Sequence, residues 1–448
     1  MTRLKQAFKL LLILIPAGIA ILFYLNYPKL DLITGYSSKS NCSCTYIAGR
    51  PEAYTDSVDN NFSPVDLAAD KVQRTEQTAT AAVFGMKERT AKYYPGLGCV
   101  LLPDSISELP FGERPQRSPR TSPQPYPYGD GPQKDTLFPE VDRELLAATV
   151  KEAFEDNAMK KTRAVLVLYK NQIIAEAYAP GFDSTSLHLG WSMTKSITST
   201  LYGILDYQGK IDISSPAPVP SWQNDERRKI TYNHLLQMSS GLAWEEDYTR
   251  ISDVTQMLFK AEDMSQAQAE KELLYPPGSH YYYSSGTSNL LSGLLRNTFD
   301  DLQGYLDFPY HDLIDRIGMS SMILETDASG NYVGSSYSWA TARDWGKFGL
   351  LYLHKGDWNG ERIFSEDWAR YVSTPASDSE GIYGGHFWLN ASGVMPDVPR
   401  DTYYADGYQG QRVYIVPSKD MVIVRLGLTN GDHFDFNAFA GGITAAIK

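Results

Sequence analysis

The chain has 448 residues, 42% of them hydrophobic and 21% charged, enough to bury a full core and to fill two or three domains. Its 53 acidic and 41 basic side chains leave a formal charge of −12, which repels phosphate backbones and argues against a nucleic-acid partner. Three cysteines and seven histidines contain no His-x-x-x-His or Cys-x-x-Cys pair, so no metal or other cofactor is expected.

Arg3, Lys5 and Lys9 precede an apolar run from Leu10 to Leu25, closed by Asn26, Tyr27 and Pro28. Basic residues ahead of such a run predict a membrane-targeting segment over residues 1–30. It reads as an uncleaved signal anchor, with a cleaved signal peptide as the alternative. Either way the rest of the chain is expected in the periplasm or outside the cell. In that oxidising setting Cys42 or Cys44 can pair with Cys99, or all three can stay reduced; an odd count leaves one over. Residues 31–109, the N-terminal exported segment, show a mixed pattern. Residues 110–139 carry prolines at 115, 119, 123, 125, 127 and 132, which predicts an extended linker or surface strap and a domain boundary there.

Residues 140–448 read as the main domain. Val141, Leu145, Ala148 and Phe154 share a helical face; the runs 164–169 and 173–178 flank a Lys170-Asn171-Gln172 turn as a β-hairpin. A second hairpin is predicted from the runs 412–416 and 421–425, and a final helix over Phe436–Ile447. The middle, about 230–353, is richer in helical patterns. The fold class is therefore α+β, an α/β sandwich: one antiparallel sheet built from both ends of the domain, flanked by helices, with a mostly helical subdomain.

The strongest chemical signal is Leu189-Gly-Trp-Ser-Met-Thr-Lys-Ser196, followed by Ile197, Leu201, Ile204 and Leu205 at helical spacing. Ser192 falls in the first turn of a buried helix, and Lys195 lies one turn on along the same face. A serine hydroxyl needs a base, and an ordinary lysine is protonated near neutral pH. Bringing its pKa close to neutrality takes about 4 kcal/mol, which desolvation and the positive end of a helix supply together. The same helix end offers the Ser192 N–H to a developing oxyanion. Trp191 and the apolar helix argue for burial, where a lysine without a task is costly.

These residues resemble the serine β-lactamase and penicillin-binding-protein superfamily, whose Ser-x-x-Lys motif they match. The pattern is most similar to the branch holding class C β-lactamases, family VIII carboxylesterases and 6-aminohexanoate-dimer hydrolase. Pro277-Gly278 followed by Tyr283-Ser284-Ser285 resembles the family's Tyr-x-Asn segment, with Ser285 where class C enzymes carry Asn. Asp406-Gly-Tyr408-Gln409-Gly410-Gln411-Arg412 resembles the Lys-Thr-Gly or His-x-Gly strand, with Tyr408 in the place of the basic residue. The segments 230–241 and 340–349 resemble further family stretches, and the likeness runs from about Val141 to Lys448. It implies a β-lactamase/transpeptidase-like fold with Ser192 as nucleophile, Lys195 and Tyr283 as general base and acid, and the Gln411 N–H completing the oxyanion hole. Ser285, Tyr408, Gly410 and Trp191 are the implied substrate-binding residues.

The reading is an exported serine hydrolase that cleaves a small-molecule ester or linear amide through an acyl-enzyme on Ser192. A neutral Tyr408 where β-lactamases hold a carboxylate ranks β-lactams lower. The alternatives are a β-lactamase or D,D-peptidase, or a penicillin-binding-like sensor without turnover.

Overall fold

A computed structural model describes residues 6, 14–18, 21, 23–129, 131–133 and 136–448. Of the apolar run Leu10–Leu25 read as a targeting segment, residues 10–13, 19, 20 and 22 lie outside these. Among the described residues no helix is long and apolar enough to cross a membrane. The chain divides into two compact units: a small one of residues up to Tyr93, Cys99–Glu108 and Asp247–Glu262, and a large one of Tyr94–Gly98, Leu109–Glu246 and Asp263–Lys448.

The small unit is ordered where the sequence pattern was mixed. Helix α1 (Lys29–Tyr46) packs on a four-stranded sheet in the order β1 (Ala69–Gln73), β2 (Thr78–Val83), β3 (Met86–Tyr94), β4 (Gly98–Leu101). The helix hides from apolar pattern-matching because much of its buried face is polar, including Thr34, Ser37, Ser38, Asn41 and Ser43. Each such group needs a partner once water is removed. Ser37 donates to the Asp70 carboxylate (2.8 and 2.7 Å), Asn41 to Asp56 (2.9 Å) and Lys39 to Ser43 (2.9 Å). Gly35 allows the helix Asp253–Lys260 to close in: a Cβ there would stand 3.1 Å from the Cβ of Phe259. Cys42 is disulfide-bonded to Cys99. Two positions apart on a helix means about 200° of rotation, so Cys44 faces elsewhere, buried with its sulfur 3.5 Å from the Arg50 guanidinium.

The large unit carries the expected sheet. Its early strands are β5 (Thr162–Tyr169) and β6 (Gln172–Tyr178), followed by the short strands β7 (His188–Leu189), β8 (Ile323–Leu324) and β9 (Ser338–Ala340). The late strands are β10 (Trp388–Leu389), β11 (Tyr403–Gly407), β12 (Gln411–Val416) and β13 (Met421–Gly427). Six of these form one antiparallel sheet in the order β10-β11-β12-β13-β5-β6. The two ends of the domain meet at β13 and β5, from Met421↔Tyr169 to Leu426↔Ala164. Both flanks of β5 are covered, which is why Ala164–Leu168 is an unbroken apolar run instead of an alternating one.

Helix α2 (Arg143–Glu152), α3 (Met193–Tyr207), α4 (Ser285–Arg296), α5 (Ala342–Leu353) and α6 (Phe436–Ala445) complete the frame. Asp142 starts α2 by accepting the Leu145 N–H at 3.1 Å. α2 and α6 cover one sheet face through Leu146, Val150, Phe439 and Ile443 against Val165, Val167 and Ile423. Each such side chain contributes roughly 1.5–3 kcal/mol by leaving water. α5 covers the other face so closely that a Cβ on Gly349 would lie 2.5 Å from Val422. Residues 110–139 behave as a strap, not a spacer: Arg117 pairs with Asp315 (2.6 Å), the Tyr126 hydroxyl donates to the Arg343 carbonyl (2.8 Å), and Gln133 bonds both backbone groups of Ile173. The strap therefore belongs to the large unit.

Candidate active site

The nucleophile helix is placed by a tight lead-in. Gly190 sits where a Cβ would strike the Trp345 ring at 2.5 Å, so α3 starts on the α5 side of the sheet. Trp191 takes a left-handed backbone (φ +48°), a cost of about 1 kcal/mol for a bulky residue. Ser192 is the N-cap of α3, yet its side chain makes no capping bond. Its hydroxyl is left for Lys195, whose Nζ lies 3.1 Å from Ser192 Oγ.

Lys195 is buried, 2% exposed, and also donates to Ser285 Oγ (3.0 Å) and the Ser335 carbonyl (2.9 Å). The Ser335 peptide is itself anchored, since its N–H donates to Asn289 Oδ1 at 3.0 Å. Burial lowers the Lys195 pKa from its ordinary 10.5 to about 8, and the Glu246 charge opposes the fall. A substantial fraction of the amine is then neutral near physiological pH, with a lone pair facing the serine.

Ser284 caps α4 by accepting from the Thr287 N–H (3.0 Å), which puts Ser285 at the first helical position and Tyr283 just outside it. The Tyr283 ring centroid lies 4.9 Å from Lys195 Nζ, and the ring packs on Trp388 (5.5 Å) and Tyr383 (5.9 Å). Glu246 joins the cluster unannounced by the sequence. Its carboxylate accepts from Ser285 Oγ (2.5 Å), Ser285 N–H (2.8 Å) and Trp244 Nε1 (2.5 Å). Within Glu245-Glu246-Asp247 nothing in spacing or pattern separates Glu246 from its neighbours; only the folded chain brings it to the start of α4.

Tyr408 is 47% exposed and sets its ring edge-on to Trp191 at 5.7 Å, forming an aromatic wall beside the nucleophile. Gly410 packs toward Arg425 and Phe436, and the Gln411 side chain bonds Gly427 of β13. A Cβ on Gly410 would meet Arg425 Nη1 at 2.5 Å and the Phe436 ring at 2.8 Å, behind the sheet. β11 pairs with β12 without a break from Tyr403↔Ile415 to Gly407↔Gln411, but with β10 only at Tyr403 and Tyr404. The Thr402 carbonyl accepts from Asn390 N–H (2.9 Å) on the β10 side. Gly407 and Gln411 form the last register pair before the Tyr408–Gly410 turn. Beyond Tyr404 the outer edge of β11 is therefore without a β10 partner. Arg412 is ion-paired with Asp406 and stacked 3.8 Å from the Phe436 ring.

The chain is 23% identical over 295 residues to 6-aminohexanoate-dimer hydrolase of Paenarthrobacter ureafaciens, covering 59% of this chain and 72% of that protein. A structure described as "Putative 6-aminohexanoate-dimer hydrolase from Bacillus anthracis" superposes with a TM-score of 0.56 at 22% identity, over 66% of this chain and 81% of the other. A family VIII carboxylesterase superposes at 0.55 with 14% identity, over 70% and 98%. At these identities the structural matches speak for the fold. The Beta-lactamase family model matches residues 152–445, spanning both Ser192 and β11, and the chain thus belongs to the β-lactamase-like serine hydrolases.

Proposed function

We propose that the protein is an exported serine hydrolase that cleaves an ester or linear amide through an acyl-enzyme on Ser192. The observation that carries this is the buried Lys195 amine 3.1 Å from Ser192 Oγ, with its pKa drawn down to about 8. In its neutral form Lys195 takes the hydroxyl proton as Ser192 Oγ bonds to the substrate carbonyl carbon. The carbonyl oxygen becomes the oxyanion, facing the Ser192 N–H at the head of α3 and the open edge of β11. Tyr283, beside the ammonium, passes a proton to the leaving alcohol or amine as the carbon–heteroatom bond breaks. Water then attacks the acyl carbon, losing its proton to the same base pair of groups, and Ser192 is restored.

Ser285 Oγ accepts from the Lys195 amine and is itself held by Glu246. Tyr408 in place of a cation favours neutral, linear acyl groups over β-lactams, consistent with the hydrolase and esterase relatives. The Cys42–Cys99 disulfide supports export, because such bonds persist in oxidising compartments. A membrane anchor within residues 1–30 completes this reading.

A fluorophosphonate probe should label Ser192, located by mass spectrometry. A panel of p-nitrophenyl ester, linear amide and nitrocefin should show turnover of the first two, abolished in Ser192→Ala. An adduct elsewhere overturns the proposal. One acylation per chain with no release of product points instead to a sensor.

A further inference from the structure

Behind the Tyr408–Gly410 turn lies a cation that the chemistry above does not use. Arg425 is fully buried, and its hydrogen bonds go to neutral oxygens: Gly410 O (2.9 Å), Gln409 O (3.2 Å), Lys160 O (2.9 Å), Thr162 Oγ1 (2.9 Å) and Thr429 Oγ1 (2.5 Å). Its guanidinium also lies 4.4 Å from the Phe434 ring. Burying a charge on neutral partners alone is costly, so what it binds indicates its use. Those oxygens come from three chain segments: the lead-in to β5, the end of β13 and the turn between β11 and β12.

The turn needs such support. Gln409 and Gly410 are consecutive left-handed residues (φ +62° and +78°), and for Gln409 that conformation is unfavourable. The Gln411 side chain adds a second tie: its Nε2 donates toward Gly427 O (2.6 Å), Tyr408 O (3.1 Å) and Gln409 O (3.3 Å), while its Oε1 accepts from Gly427 N–H (3.0 Å). Cross-strand register extends the tie to the site. Asp406 stands opposite Arg412 and Arg412 opposite Arg425, one row on the sheet face away from Ser192, with Asp406 and Arg412 ion-paired. The same hairpin sets the Tyr408 ring beside Trp191, next to the nucleophile.

Resting on the assignment of Ser192, we propose that Arg425 and the Gln411 side chain are positioning residues: acting through the Tyr408–Gly410 turn, they hold the β11 edge and the Tyr408 wall in register with the nucleophile. The Gly410 and Gln409 carbonyls, gripped from behind, fix the turn that carries Tyr408, and small displacements beside a nucleophile are expensive in rate.

The test uses the full chain and a short-chain p-nitrophenyl ester. Arg425→Met should lower kcat about 10- to 100-fold with KM changed less than about 3-fold and the acid limb of the pH profile in place. Arg425→Lys should recover part of that loss, because one ammonium still reaches the turn carbonyls. Thr429→Val, which keeps the charge and removes one of its acceptors, should cost about 2- to 5-fold in kcat and serves if Arg425→Met does not fold. Rates are divided by the fraction of Ser192 that a fluorophosphonate titrates. Unchanged kcat per titrated site in Arg425→Met or Thr429→Val, or a rise in KM alone, overturns the proposal while leaving the nucleophile intact. Turnover surviving in Ser192→Ala overturns the site itself, and the positioning role with it.

Discussion

Helix α1 of the small unit buries Thr34, Ser37, Ser38, Asn41 and Ser43, whereas strand β5 of the large unit buries Ala164 through Leu168. The first set is useful only if every hydroxyl and amide meets a specific acceptor; the second gains from any close-packed apolar surface. The small unit accordingly adds a covalent tie between Cys42 and Cys99. The large unit can carry burdens instead. It houses Lys195, whose ammonium is disfavoured by burial, and Arg425, a cation bonded to neutral oxygens. Apolar surplus in one region is what permits a reactive, destabilising amine to be kept there.

The largest expected effect falls on that amine. Lys195→Met should cut kcat/KM of ester hydrolysis by about 10³- to 10⁴-fold. The same change should raise stability at pH 7. With a folded-state pKa near 8 against 10.5 for the free side chain, the native protein disfavours the proton, a cost of about 3 kcal/mol at neutral pH. The unfolded chain holds more protons between those two values, so the wild type gains stability as pH rises from about 8 to 10.5 and the gap should close there. Melting curves at pH 7 and pH 10 check the sign. A variant equally or less stable than wild type at pH 7 would break the idea that the large unit bears a strained amine.

Next in size, Cys42→Ser should destabilise the small unit by roughly 2–4 kcal/mol through lost loop restraint. Denaturant unfolding followed by hydrogen exchange should show the loss confined to that unit, with kcat unaltered. Tyr283→Phe should lower kcat by about 10²-fold without moving either unit's stability appreciably, which steady-state kinetics and calorimetry measure together. The smallest change is expected from Glu246→Gln. The Glu246 charge raises the Lys195 pKa, so removing it should shift the acid limb of the kcat/KM profile, centred near pH 8 in the wild type, to lower pH. A limb that stays in place or moves up would mean that Glu246 does not act on Lys195.

The outlines of the large unit were legible because its signals are local. Two hairpins with short turns, an apolar strand covered on both sides and a Ser-x-x-Lys at the head of an apolar helix each follow from periodicity and side-chain chemistry within a few residues. The small unit was not legible for the converse reason: α1 carries serines, threonines and asparagine on its buried face, so no 3.6-residue apolar period exists to be found. The segment Asp247–Glu262 joins that unit from far along the chain, which no linear boundary at the proline-rich stretch anticipates. Within the site, Ser192 and Lys195 were readable because one helical turn separates them.

Sequence alone determined that a serine and a lysine share one helix face and that the sheet is closed by strands from both ends. Three-dimensional packing decided the rest: that Glu246 reaches Ser285, that Arg425 holds the Gln409 and Gly410 carbonyls, and that Cys42 rather than Cys44 meets Cys99. The physical reason is range. Helical periodicity acts over three or four residues, but strand register and the burial of a polar group are set by partners scores of positions away.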